Sequence, residues 1–315
     1  MFESELKRLG FNTIDISIIA HDFRLTGVFR RIKKFVGKRI LKREDMFLGY
    51  KASKHELMQM LDRVKSADYV LLTRPDFYPV DFVKYLRKKG GKMIAYQWDG
   101  LHKFPFIYRY IDLFDRFHVF ESNDLTVPGV LPVTNFFPVS YMDNELFDAS
   151  MKCDVFYSGS YSLSRLKPLH RIQELCEALG YDFRYSLYYR RKKVLLYNLK
   201  TTDKAIPYLE NMKYVYNSDV ILDLLSPDQT GLSFRVFEAI GFGKKMITNN
   251  TSIKEYDFYT PENILIWDNQ DISSVAAFLK VPFSPYLLTI KEKYSFPNWI
   301  RYVLDVGDYT PLGLP

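Results

Sequence analysis

SPDQTGLSFRVFEAIGFGKKMITNN, residues Ser226 to Asn250, is the stretch on which the fold of this 315-residue chain turns. Before it stands Val220 to Leu225 (VILDLL), an apolar run of strand length. A polar loop with one glycine follows, and Phe234 to Phe242 then reads as a helix that Gly243 stops. Met246-Ile247-Thr248 forms the next short strand. Strand, loop, helix, strand is the repeating unit of a parallel sheet covered by helices, and such sheets bind ligands in the crevice at their strand carboxyl ends.

The same alternation extends in both directions. Towards the N-terminus of this half, Val155 to Ser158 is a strand closing on Gly159, and Arg165 to Leu179 a helix capped by Gly180. Phe183 to Leu187 is the next strand and Ile206 to Asn217 the next helix. Beyond the central stretch, Asn263 to Trp267 completes the sheet and Asn298 to Leu304 is a last helix. The first half reads likewise. Ile14 to Ala20, Tyr69 to Thr73, Met93 to Gln97, His118 to Glu121 and Val133 to Phe136 are predicted strands. Glu56 to Lys65 and Val80 to Lys89 are predicted helices. A more polar run over 138–152 reads as the linker. The expectation is an α/β chain of two Rossmann-like domains facing across a cleft: 1–140, 141–290, and a C-terminal helix over 291–315 that packs back on the first domain.

Composition agrees with a folded chain: 47% of residues are hydrophobic and 26% charged. No run reaches the roughly 18 apolar residues of a membrane-spanning helix, and Met1 to Gly10 has no secretory character. Cys153 and Cys176, the two cysteines, form neither a disulfide framework nor a zinc motif, so the cytosol is the expected compartment. The net charge of +7 is local. Residues 30–43 carry eight Lys and Arg and no acid, which leaves the rest of the chain at −1. Ile32, Phe35, Val36, Ile40 and Leu41 fall at helical spacing within it. Such a segment lies either on an anionic membrane surface or against its own domain. No base-reading or stacking motif accompanies it, so nucleic acid is not an expected partner.

The chemistry follows from position. The loop Gly231-Leu232-Ser233 delivers the N-terminal end of a helix to the crevice, where N–H groups and the helix dipole suit a phosphate. Arg235 in the first turn adds a bidentate donor for a diphosphate. Glu238 shares that face and can accept hydrogen bonds from ribose hydroxyls; equally, it can complement the helix dipole or pair with Arg235. Thr248 ends the neighbouring strand. Gly159-Ser160 stands at the end of the first strand of this half, with Arg165 six residues after Gly159. The Arg190–Lys193 cluster is either a further anion contact or a solvated strand edge.

Glu238, Ala239, Gly243 and the strand Met246 to Thr248 resemble the donor-binding element of GT-B glycosyltransferases, particularly the retaining family 4 group and related enzymes of polysaccharide and lipopolysaccharide assembly. The chain departs from that pattern at three places. Thr230 stands where the group has its first glutamate, Ser233 where it has its loop glycine, and Lys245 where it has a proline. The resemblance implies a nucleotide-sugar donor, most often a UDP-sugar, held by Glu238 at its ribose, and a glycan or lipid-linked acceptor. It also implies leaving-group stabilisation by cationic side chains without a metal or cofactor, with which the lack of a DxD pair agrees. In the first half, YQWDGLH (Tyr96 to His102) follows a strand, and related enzymes carry a His-Asp pair in the corresponding place. Asp99 and His102 are therefore candidate general bases, or Asp99 caps the next helix; His21-Asp22 is the competing pair, with Asp22 as its carboxylate. A nucleotide-sugar epimerase of the same fold and a non-catalytic membrane-surface scaffold are the alternatives.

Overall fold

Short runs of apolar, strand-forming residues between amphipathic segments favour parallel strands with helices on both faces. The computed structural model describes residues 1–16, 59, 61–62, 64–142, 145–189, 197, 199–225, 230–268 and 271–315, and it contains that arrangement twice. Helix α1 (Phe2–Arg8) opens the chain. The first sheet follows: β1 (Tyr69–Thr73), β2 (Lys92–Gln97), β3 (Arg116–Val119) and β4 (Val130–Pro132), in that order and all parallel. Helix α2 (Val80–Arg87) connects β1 to β2 and buries Phe82, Val83 and Leu86.

The second sheet contains β5 (Cys153–Ser160), β6 (Phe183–Tyr188), β7 (Ser218–Asp223), β8 (Lys245–Thr248) and β9 (Ile264–Ile266). Its order is β6-β5-β7-β8-β9, again all parallel. The chain leaves β5 for the edge strand β6 and returns to β7 on the other side of β5. The strand order therefore reverses between β5 and β7, which opens a crevice at their carboxyl ends. The helices are α3 (Leu163–Leu179), α4 (Tyr208–Asn217), α5 (Phe234–Phe242), α6 (Ile272–Lys280), α7 (Tyr286–Ile290) and α8 (Phe296–Leu304). Helices α3 and α5 end on Gly180 and Gly243, both left-handed at φ 75° and 61°, as glycine C-caps require.

Lys245, the departure from the group's proline, has a structural task. Its Nζ donates to the carbonyls of Phe278 (2.5 Å) and Val281 (2.6 Å) and so closes the C-terminal end of α6. Helix α8 crosses to the first sheet. Arg116 donates to the carbonyls of Tyr302 and Val303, Trp299 Nε1 to that of Thr134, and the Tyr302 hydroxyl to that of Pro132. His118 lies beneath, its ring nitrogens 3.5 and 3.3 Å from the carbonyls of Pro132 and Val303, and burial holds its pKa down at about 4. Phe2 meets Phe136, Phe296 and Trp299 edge to face, and Phe296 stacks on Trp299, which closes the seam.

One strand expected from sequence takes another form, and another lies mostly outside the described residues. Residues 133–136 continue past β4 without a ladder, and Phe137 makes a single bridge to Ser295. Val133 N still donates to the Val119 carbonyl at 2.9 Å, but beyond it the backbone bonds to the C-terminal segment: the Thr134 carbonyl accepts from Trp299 Nε1, and Phe137 N donates to the Tyr294 carbonyl while its own carbonyl accepts from Phe296 N. Of the Ile14–Ala20 strand, residues 14–16 have no regular structure, with Ile14 exposed; the remainder lies outside the described residues. Helices α1, α6 and α7 are additions to the sequence reading.

Candidate active site

Asp223, the last residue of β7, is fully buried, and its carboxylate organises the crevice. Oδ1 accepts from Ser233 Oγ (2.8 Å) and Arg235 Nε (2.9 Å), and Oδ2 accepts from Thr248 Oγ1 (3.2 Å). One carboxylate thus fixes the loop end, the first turn of α5 and the end of β8. Such a buried anion persists only because charge and hydrogen bonds meet it on several sides. Arg235 Nη1 donates to the Ser158 carbonyl at 2.9 Å, which draws the end of β5 into the same cluster. Among the described residues, Nη2 has no bonded acceptor.

Arg165 reaches this end from α3, with Nη1 3.3 Å from the Ser160 carbonyl and Nε buried without an acceptor. Tyr157 stands between the two guanidinium groups, and burial, ahead of their opposing pull, raises its pKa. Gly159 and Ser160 extend β5 rather than form a turn, pairing with Leu187 and Tyr188 of β6; a Cβ on Gly159 would lie 2.5 Å from the Tyr157 hydroxyl, so glycine here leaves room for that side chain. Two cations, a helix N-terminal end and a strand terminus therefore converge, which is an arrangement suited to a phosphate or diphosphate.

Glu238, one turn further into α5, is 2% exposed. Its Oε1 accepts from the Tyr208 hydroxyl of α4 at 2.9 Å, while Oε2 has no donor among the described residues. Burial lifts its pKa to about 7, against the lowering effects of Tyr208, Arg235 and Asn211. Asn211, whose Oδ1 accepts from Ser158 Oγ at 2.7 Å, stands between Glu238 and the end of β5. A carboxylate with one committed and one open oxygen, beside an anion-binding turn, can take the hydroxyls of a ribose.

Across the cleft, the carboxyl ends of β2 and β3 supply Asp99, His102 and Glu121. Asp99 is paired with the guanidinium of Arg74, which also binds Asp76 through both oxygens (2.8 and 2.7 Å) and packs between the rings of Phe77 and Phe104. That carboxylate is held by a buried cation rather than presented as a base. His102 is the more exposed group, with 56% of its side chain accessible and Nδ1 3.9 Å from Glu121 Oε2. The loop 230–233 docks on this face. Thr230 Oγ1 lies 3.4 Å from Glu121 Oε2, Asn135 Nδ2 donates to the Leu232 carbonyl (2.8 Å), and any side chain at Gly231 would overlap the Phe120 ring.

The structure thus gathers Gly159, Ser160, Arg165, Ser233, Arg235, Glu238 and Thr248 at one end of the second sheet. Gly231 and Leu232 serve the contact between the halves. Asp22, the basic segment 30–43 and Arg190–Lys193 lie outside the described residues. Asp223, Tyr208, Arg74 and Glu121 were not singled out by sequence. Asp223 and Glu121 were legible in principle, since each ends or follows a strand where such sheets bind ligands.

No protein-family model and no curated protein sequence matches the chain. Solved structures do. An E. coli structure described as trehalose-6-phosphate bound with UDP-2-fluoro glucose superposes with a TM-score of 0.54 at 11% identity, covering 92% of this chain and 85% of that one. A trehalose-6-phosphate synthase superposes with a TM-score of 0.51 at 11% identity, covering 94% and 82%. With two parallel sheets facing across a cleft and a last helix returning to the first sheet, the chain has the GT-B fold.

Proposed function

We propose that the protein is a glycosyltransferase that binds a nucleotide-sugar, a UDP-sugar, against the second sheet and moves the sugar to an acceptor entering from the first. The observation that carries this reading is Glu238, buried with Oε2 without a donor among the described residues, beside Arg235 and the end of β5. Arg165 and Arg235 take the diphosphate, with Gly159, Ser160 and Ser233 at its edges. Glu238 takes the ribose. Their positive charge stabilises the departing nucleoside diphosphate as its bond to the anomeric carbon breaks. His102, exposed on the opposite face, receives the acceptor's hydroxyl proton.

The similarity to a structure holding UDP-2-fluoro glucose supports the donor class, and the fold is its common ground. We further read the chain as domains 1–140 and 141–290 with 291–315 returning to the first. The acceptor is a glycan or lipid-linked sugar of surface polysaccharide assembly, and the basic segment 30–43 holds the enzyme against an anionic membrane surface. Incubation with UDP-glucose, UDP-galactose, UDP-N-acetylglucosamine and their GDP counterparts, followed by assay of released nucleoside diphosphate, tests the reading. Release with one donor, lost in Arg235→Ala, supports it; release with none, at enzyme concentrations sufficient to see slow hydrolysis, contradicts it.

A further inference from the structure

The first domain contains a buried carboxylate that neither the packing of its sheet nor the donor site uses. Glu121 is 1% exposed, its Oε1 has no donor among the described residues, and its Oε2 faces both Thr230 and His102. Gly100 allows the histidine to come so close. Its φ of −56° and ψ of 138° suit any residue, yet a Cβ there would lie 2.6 Å from Glu121 Oε2 and 2.6 Å from His102 Cε1. The glycine therefore serves space rather than backbone conformation: it lets an imidazole approach a carboxylate.

A carboxylate oxygen buried without a donor is costly, and histidines that work as bases are commonly oriented by such a group. The other charged groups facing it are Lys103 from the same turn and Asp124, whose Oδ2 accepts from the Leu101 amide at 3.0 Å. Burial raises the pKa of both Glu121 and Asp124, against the opposing pull of Lys103 and His102. A movement of the ring by about 1 Å brings His102 Nδ1 within ordinary hydrogen-bond distance of the carboxylate.

We propose that Glu121 is the positioning residue of His102, accepting its Nδ1–H and so leaving Nε2 bare towards the cleft. The role rests on the transferase reading above. There the acceptor's oxygen bonds to the anomeric carbon, its proton passes to His102 Nε2, and the electron pair of the broken bond leaves with the nucleoside diphosphate. Glu121 touches none of these atoms; it fixes which nitrogen is free to act.

The test is the ¹⁵N spectrum of the imidazole at about pH 8.5, roughly two units above the ordinary histidine value, with the His102 signal identified by its loss in His102→Asn. The expected result is the Nδ1–H tautomer in the wild type. In Glu121→Leu the signal should revert to the Nε2–H tautomer that free imidazole side chains prefer, with kcat reduced and KM unchanged. An Nε2–H His102 in the wild type overturns the proposal, even if Glu121→Leu fails to fold. Donor turnover separates the two readings. Turnover with an Nε2–H His102 removes the positioning role alone. An Nδ1–H His102 in a protein that turns over no nucleotide-sugar supports the positioning and removes the transferase.

Discussion

The two rims of the cleft are built differently. On the donor side, Ser233, Arg235 and Thr248 all converge on Asp223, so the frame that holds Arg235 is complete within one domain, although Glu238 Oε2 and Arg165 Nε have no partner among the described residues. On the acceptor side, Glu121 keeps an open oxygen, and its recorded hydrogen bond comes from Thr230 of the other domain. The difference lies in what holds each rim: Arg235 is fixed by Asp223 and the end of β5 within the second domain, while Glu121 takes its hydrogen bond from the other domain. Preorganisation belongs where charge develops in the transition state, and the anion site meets that requirement without the first domain.

The contrast can be broken most forcefully at its hub. Asp223→Ala leaves Arg235 buried without its counter-ion and should cost about 3–5 kcal/mol of stability. Chemical denaturation should show it, with nucleotide binding lost as well. A tolerant Asp223→Ala would mean that the donor rim is not organised by that carboxylate.

Glu238→Gln probes the same rim with the opposite sign. Burial raises the Glu238 pKa from 4.5 to about 7, so the folded protein holds a proton that the unfolded chain gives up between those values. Stability therefore falls as pH rises through that window, by about 3 kcal/mol in all. The glutamine variant lacks this loss and should be more stable than wild type at pH 8, yet bind nucleotide poorly. Denaturation at pH 5 and pH 8 measures the difference between the two slopes.

At the contact between the rims, Gly231→Ala drives a methyl group into the Phe120 ring and should cost about 1–3 kcal/mol. Its effect should fall on turnover more than on nucleotide affinity, because the donor rim remains intact. The smallest structural effect belongs to His102→Asn. An exposed residue away from the core should change stability by less than about 0.5 kcal/mol. Nucleotide binding should be retained, and transfer should fall by roughly 10²–10⁴-fold.

How much of this was legible in the sequence follows the same division. The alternation of strands and helices, the caps at Gly180 and Gly243, and the β7–α5–β8 unit are local patterns, and the structure has them within a residue or two. Arg235 and Glu238 were legible because spacing on one helix puts them on one face. Tyr208 and Asn211 were not, because their partners come from other elements, and the place of Glu121 after a strand gives no sign of its partner Thr230 in the other domain. Asp99 illustrates the limit. Its place after β2 marks it as a candidate base, but its engagement depends on Arg74, 25 residues earlier, at the end of a different strand. Residues 133–136 were expected as a strand from composition alone, which carries no record of the Trp299 contact that claims the Thr134 carbonyl.

The central claim is a nucleotide site on the second sheet with Glu238 at its centre. Thermal unfolding of the protein with UDP, GDP, CMP and ADP in turn, repeated with Glu238→Ala, tests it most directly. A nucleotide at about 100 times its dissociation constant should stabilise the wild type by about 2.7 kcal/mol and leave the variant unchanged. An unfolding temperature that none of the four nucleotides raises, or one that UDP raises equally in wild type and variant, would contradict it.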